Sequence, residues 1–252
     1  MSLEGNVEYA SVRVQSQFGD RADASEWRRL EASHDLGQYL EAARSSFFGP
    51  WVASLDRDRS VHDIERALRS SWRSYVRTVA AWHPRHWQPW FTWLEWLPTL
   101  GLIARLKSVD TLPAWLMADP VVGPAVRGVS VVRPVAVKGT ALAFFEPAIA
   151  GRVPLENLWL AHWRALLPPA DATTQLGVAA VSKAVQECAR ALAIEGADAA
   201  VLRDQLRQTI NRLFRATAGT PVATLCHLIL TALDFERLRG GLVNRSLFFG
   251  RG

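Results

Sequence analysis

Tryptophan is concentrated in one short stretch of this 252-residue chain. Six of its eleven tryptophans lie between positions 72 and 96, in the segment WRSYVRTVAAWHPRHWQPWFTWLEW. Each indole buries a large apolar area and still carries one N–H group that needs an acceptor. This density predicts either a thick buried seam between helices or a surface that contacts a partner.

Two long helices are predicted to meet in this stretch. The first begins near Ser60 and places apolar side chains every three or four residues, the spacing that puts them on one helical face. Pro84 is predicted to end it. The second is predicted over residues 87–105 with a kink at Pro98, because proline removes a backbone donor and clashes with the preceding turn.

The rest of the sequence predicts an all-α fold of packed antiparallel helices, arranged as a single helical domain over residues 1–252. Within it we expect an N-terminal helical unit at 1–110, an irregular connector at 111–153 and a C-terminal helical unit at 154–252. Proline and glycine are frequent in the connector, and its apolar pieces at 129–132 and 141–145 fit short strands and short buried helices equally well. Further helices are predicted over residues 7–18, after the capping residues 23–25, at 35–46, from 154, and at 173–194, 198–217 and 221–245.

Positive charge is concentrated in the second half of the chain. Residues 1–126 contain 14 lysines and arginines against 15 acidic residues, whereas residues 127–252 contain 15 against 9. No nucleic-acid-binding motif accompanies this bias, and we expect no nucleic-acid partner. The predicted amphipathic helix at 198–217 contributes four arginines, which are hypothesised to face an acidic partner, with a solvated helix face as the alternative: Arg203, Arg207, Arg212 and Arg215.

The cysteines and the hydropathy pattern indicate neither secretion nor a membrane span. Cys188 and Cys226 lie in apolar helical segments without metal-ligand spacing, so both are predicted to be reduced core residues. No basic start followed by an apolar run opens the chain, and the longest uncharged run, 216–233, is interrupted by glycine, proline and histidine. We expect a cytoplasmic protein that is peripheral on the cytoplasmic membrane face.

Motifs of catalysis do not occur in the sequence. It contains no GxSxG nucleophile turn, GxGxxG loop or GxxxxGK[ST] phosphate cradle. His83 and His86 flank Pro84, but the proline disrupts helical spacing and no acidic or cysteine ligand lies close in sequence, so no metal site is predicted. His162 and His227 lie on apolar helical stretches, where hydrogen-bonded core histidines are expected. We expect no catalytic residue and no cofactor.

Two parts of the chain carry motifs of a known family. The first is a YxxARVR-like helix, a segment similar to "dl..yl" with a following YG-like turn, and a long acidic-apolar helix. The second is an acidic helix with Leu-Arg pairs near the end of the chain. Together they resemble the stalk-to-ring adaptor family of V/A-type rotary ATPases, whose members are named C, or d in the eukaryotic vacuolar enzyme. The residues that carry the resemblance are Tyr9, Ala10, Val12, Arg13, Asp35, Leu36, Tyr39, Leu40, Ser45, Phe47, Phe48, Gly49, Asp63, Ile64, Glu65, Asp234, Phe235, Glu236, Arg237, Leu238, Arg239, Gly240 and Leu242.

The resemblance implies a non-catalytic, all-helical, funnel-like protein built from related helical units. Family members seat the central rotor stalk on the membrane proteolipid ring and transmit torque between ATP hydrolysis or synthesis and proton or sodium transport. On this basis Trp87, Trp90 and Trp93 are predicted to line the mouth of the funnel, and the four arginines to contact a protein of the stalk or of the ring.

This chain departs from the family in two ways. It is shorter than typical members, and Trp93 to Trp96 occupy the position where the family often has an acidic residue ahead of Asn-Leu. The alternative function is a helical scaffold or a peripheral membrane-binding protein that uses tryptophan-rich and basic faces.

Overall fold

A computed structural model describes residues 6–106, 113–126 and 137–248 of the chain. These residues form helices joined by turns and include no β-strand, which confirms the predicted all-α fold. Short 3-10 turns lie at Trp93–Trp96 and Ala143–Phe145. The α-helices are α1 (Val7–Gly19), α2 (Ala24–Glu31), α3 (Leu36–Arg44), α4 (Gly49–Val52), α5 (Val61–Ala81), α6 (Gln88–Thr92), α7 (Leu97–Leu106), α8 (Ala114–Met117), α9 (Gly123–Val126), α10 (Glu146–Ile149), α11 (Leu155–Ala165), α12 (Ala172–Leu192), α13 (Ala199–Ala216) and α14 (Pro221–Phe248).

The chain divides into two compact units. Unit 1 combines residues 1–92 with residues 168–252, and unit 2 is the continuous segment 93–167. The sequence suggested boundaries near 110 and 153, where the proline-rich connector begins and ends. In the structure α7 and α11, which flank the connector, contribute Ile103 and Leu155 to the same core as Leu116 and Phe145, and this shared core defines unit 2.

Short polar side chains start the helices of unit 1 where the sequence predicted them. The Asp23 carboxylate accepts hydrogen bonds from the backbone N–H groups of Ser25 and Glu26 at the start of α2. Ser60 and Asp198 cap α5 and α13 in the same way. Each cap satisfies backbone donors that have no partner inside the helix, so the helix begins immediately after it.

Helix α14 is the central element of unit 1. It packs against α1, α3, α5, α12 and α13, and every residue from Pro221 to Leu228 is buried. A helix that is apolar on all sides is stable only when neighbours surround it. The N-terminal segment and the segment after residue 168 therefore meet around α14.

The predicted second long helix over residues 87–105 is wrong in its continuity. The structure contains α6, the 3-10 turn Trp93–Trp96 and α7, with Pro98 as the second residue of α7. Proline fits the first turn of a helix, where its missing N–H group has no intrahelical acceptor to lose. Pro98 therefore begins a helix and does not kink one.

The described part of the connector is helical. Residues 113–126 form α8 and α9, and the apolar piece at 141–145 ends in the 3-10 turn Ala143–Phe145, which leads into α10. The piece at 129–132 lies outside the described residues. Leu142 and Phe145 are fully buried in the core of unit 2, so at this position burial selects a short helix.

Gly241 is the closest contact between α14 and α3. A Cβ atom added there would lie 2.3 Å from the Tyr39 hydroxyl oxygen and 2.6 Å from its ring carbon Cζ. Tyr39 is only 1% exposed, and the Arg245 guanidinium covers its ring at 4.2 Å. The ring therefore has little room to move away.

We expect Gly241→Ala to lower the free energy of unfolding of unit 1 by about 1–3 kcal/mol, the usual cost of overpacking a filled core. The adjacent Gly240→Ala is the matched control, because its added Cβ meets no heavy atom within 4 Å. That variant should be neutral or stabilising by up to about 1 kcal/mol, since alanine favours helix over glycine. Urea unfolding monitored by circular dichroism measures both, and equal effects would contradict the close contact.

Candidate functional site

The tryptophan-rich stretch divides between the two units. All six tryptophans of unit 1 are buried, with Trp72 and Trp90 at 1% and 0% exposure. In unit 2 only Trp163 is buried, and the other four tryptophans are partly exposed. A core role therefore describes the tryptophans of unit 1, and the partly exposed ones belong to unit 2.

The three tryptophans predicted to line a funnel mouth do not share one environment. Trp87 and Trp90 are core side chains of unit 1, and their ring centroids are 5.7 Å apart. Trp93 belongs to unit 2, where its indole N–H donates a hydrogen bond to the Trp159 carbonyl oxygen at 3.1 Å and its ring lies 4.4 Å from that of His162. The role of these three residues in partner binding stays a prediction.

The four predicted arginines also separate. Arg203, Arg212 and Arg215 are exposed on α13. Arg207 instead turns inward, and its Nη1 donates to the Asp234 carboxylate at 2.6 Å. Only the three exposed arginines are therefore available to an acidic partner in the way that the sequence suggested.

Asp234 is the centre of a buried ion cluster. Its side chain is 1% exposed, and Oδ2 accepts from the Arg21 guanidinium at 2.6 Å and 2.9 Å while Oδ1 accepts from Arg207. Arg21 follows α1 and Arg207 lies on α13, so the cluster joins both helices to α14. Sequence reasoning missed this cluster, although an aspartate among the apolar residues of a buried helix signals that a paired cation is required.

A groove of about 470 Å³ lies beside this cluster in unit 1. Three of its four arginines already have acidic partners: Arg237 bonds Glu31 at 2.7 Å, Arg239 bonds both Glu65 and Glu236, and Arg207 bonds Asp234. The groove is therefore an internal ion network with little charge left for an anionic ligand. Its lining residues are Glu31, Ala200, Arg203, Asp204, Arg207, Leu233, Glu236, Arg237, Arg239 and Gly240.

Two buried histidines face the contact between α5 and α14. His83 Nε2 lies 3.0 Å from the Thr224 hydroxyl, and His227 Nε2 lies 2.6 Å from the Tyr75 hydroxyl. Burial lowers the pKa of His83 to about 4 and, with a smaller contribution from the positive Arg21, that of His227 to about 3. Both are therefore neutral at physiological pH, and His227 is the hydrogen-bonded core histidine that the sequence predicted.

The remaining sequence candidates lie in separate environments. His83 is buried whereas His86 is exposed, so the two histidines around Pro84 do not share one site. Within the described ranges, no cluster of three or more histidine, cysteine, aspartate or glutamate side chains is placed to hold a metal ion. Both cysteines are free thiols; Cys226 is a core residue as predicted, whereas Cys188 is only half-buried.

Comparison of the chain with protein-family models, with curated proteins and with solved structures finds no match. Among the described residues, none of the helices combines the length and the apolar character needed to cross a membrane.

Removing the buried carboxylate should be costly. We expect Asp234→Ala to destabilise unit 1 by about 3–5 kcal/mol, because it leaves two guanidinium groups without their counter-ion. Asp204→Ala removes an exposed carboxylate from the same groove and should change stability by less than about 0.5 kcal/mol. Thermal and urea unfolding of the two variants decide, and similar losses would argue against the ion cluster.

Stability should fall as the pH is lowered through the acidic range. The unfolded histidines take up protons near pH 6.5, whereas His83 and His227 in the folded protein do not until about pH 4 and 3. Below pH 6.5 each therefore removes up to about 1.4 kcal/mol of stability per pH unit. Unfolding measured between pH 6.5 and 4.5 should show a shallower pH slope for His83→Gln than for wild type. The exposed His86→Gln is the control, and it should keep the wild-type slope.

Proposed function

We propose that this chain is a non-catalytic adaptor of a V/A-type rotary ATPase, on the cytoplasmic face of the membrane. In this role it couples the central rotor stalk to the proteolipid ring, for proton or sodium transport linked to ATP hydrolysis or synthesis. Its partners are the proteins of the stalk and of the ring, and the exposed Arg203, Arg212 and Arg215 contact one of them.

One observation carries the proposal: the two sequence segments that resemble the family pack directly against each other. Glu65 on α5 accepts a hydrogen bond from Arg239 on α14 at 2.8 Å. Tyr39 on α3 packs against Gly241 and under Arg245, both on α14. Motif residues that are far apart in sequence thus form one framework, as expected if the motifs maintain a shared fold.

The construction of unit 1 suits an element that transmits force. Its long helices are packed around one buried helix and are joined by charged and hydrogen-bonded contacts. Close-packed interiors have low compressibility and transmit strain. The Arg245 guanidinium adds a further tie, since it donates to the backbone carbonyl oxygens of Glu31 and Ser33 beyond the end of α2.

The direct test is recovery of the complex. A tagged copy is expressed in the native host, its membranes are solubilised gently, and the co-purifying proteins are identified by mass spectrometry. We expect central-stalk and proteolipid proteins in fixed ratio to this chain. Deleting the gene should leave ATP hydrolysis in the soluble part of the enzyme while abolishing ATP-driven ion transport in membrane vesicles. Recovery of lipid alone would instead favour a peripheral membrane-binding protein.

The arginine surface has its own test. Reversing the exposed arginines in Arg203→Glu/Arg212→Glu/Arg215→Glu should weaken recovery of the stalk and ring proteins. The circular-dichroism spectrum should stay unchanged, because all three side chains are exposed on one face of α13. Arg28→Glu/Arg29→Glu/Arg57→Glu is the control with the same change in net charge on other exposed positions. Equal recovery of both variants would remove this surface from the proposal. Arg207 is kept, since a glutamate there would face Asp234.

A further inference from the structure

Helices α12 and α13 form a hairpin whose outer half leaves the core of unit 1. Close to the core, Val178 and Val181 on α12 and Ile210 and Phe214 on α13 are buried. Gly177 marks the tightest contact there, because an added Cβ would lie 2.9 Å from the Val222 side chain on α14. Farther out, no residue from 182 to 205 is buried. The outer half is therefore a two-helix arm without a third layer.

The end of this arm combines exposed aliphatic side chains with negative charge. We call residues 191–202 the arm tip. Leu192, Ile194 and Val201 are 38%, 67% and 48% exposed. Glu195 and Asp198 are the only charged residues of the tip, in a half of the chain that is otherwise strongly basic. Aliphatic side chains kept in water at a projecting turn are typical of a docking surface.

The tip has a defined shape before any partner binds. Gly196 adopts φ +78°, a left-handed conformation that glycine reaches without strain and that closes the turn after α12. The Asp198 carboxylate then accepts the backbone N–H groups of Ala200 and Val201 and fixes the start of α13. A preformed turn loses little conformational entropy when it docks.

The charge of the tip selects between two kinds of partner. A membrane surface rich in anionic lipid attracts basic segments and repels carboxylates. The two carboxylates close to Ile194 therefore disfavour such a surface. They complement a protein groove whose floor is aliphatic and whose rim carries lysine or arginine.

We propose that the arm tip docks into an aliphatic, basic-rimmed groove of another protein, with Leu192, Ile194 and Val201 as anchors and Glu195 and Asp198 on its rim. The inference rests on the proposed function in one respect: the partner belongs to the rotary ATPase that this chain joins. It assigns contact to an acidic and apolar surface, distinct from the arginines named above.

The test measures binding of the purified full-length chain to detergent-solubilised ATPase complexes from a host strain that lacks its gene. Ile194→Ser/Val201→Ser should raise the dissociation constant about tenfold or more, since truncated anchors at the centre of an interface dominate its affinity. Val12→Ser/Leu176→Ser is the matched control, because it removes two aliphatic side chains that are 69% and 71% exposed outside the tip. The control should bind like wild type.

A charge variant tests the rim. Glu195→Lys should slow association with the complex, and the difference from wild type should shrink as salt is added. An association rate that does not change at low salt would overturn the basic-rim assignment.

The outcomes separate the two proposals. Wild-type binding that the tip variant leaves intact would overturn the arm-tip inference and keep the adaptor function. No wild-type binding would overturn both. Concentration-dependent self-association that is lost only in the tip variant, measured by light scattering, would identify a second copy as the occupant and overturn the inference. Binding of the chain to anionic vesicles through the tip would also overturn it.

Discussion

The charge of Asp234 constrains unit 1 more than any other single group. A carboxylate at 1% side-chain exposure is stable only with its cations in place, and here the cations come from two different elements. Arg21 and Arg207 must both reach α14, so the positions of α1 and α13 are set by one side chain. Arg207 keeps 23% of its side chain exposed, and water can therefore solvate part of the excess positive charge that two arginines and one aspartate leave.

Polar contacts give the otherwise apolar α14 a specific orientation. Hydrophobic contacts around a helix that is buried on all sides are non-directional, and many rotations about its axis would bury similar areas. The ion cluster, the His227 contact with Tyr75 and the close approach of Gly241 to Tyr39 permit one rotation. An adaptor that carries torque needs such a unique arrangement, because a helix that can slip would absorb the force.

Local chemistry made the helix starts predictable, and long-range packing made the rest difficult. Asp23, Ser60 and Asp198 cap helices through neighbours two or three residues away, so a short window of sequence contains the whole interaction. Arg21 and Asp234 are 213 residues apart, and no window contains both. Pro98 is consistent with a kink or a helix start, and only the packing around Trp93–Trp96 decides. Periodicity showed an apolar stripe along α12 but not where the core that covers it ends.

The order of the two units along the chain has a consequence for biosynthesis. Unit 2 is one continuous segment, whereas unit 1 requires residues on both sides of it. A ribosome therefore delivers all of unit 2 before it makes α14, around which α1, α3 and α5 pack. Those early helices wait, with Trp51 and Trp72 still lacking their aromatic neighbour Phe235, until α14 emerges. The segment that is first to be synthesised is thus among the last to be buried, and during translation it is the part of the chain most in need of a chaperone.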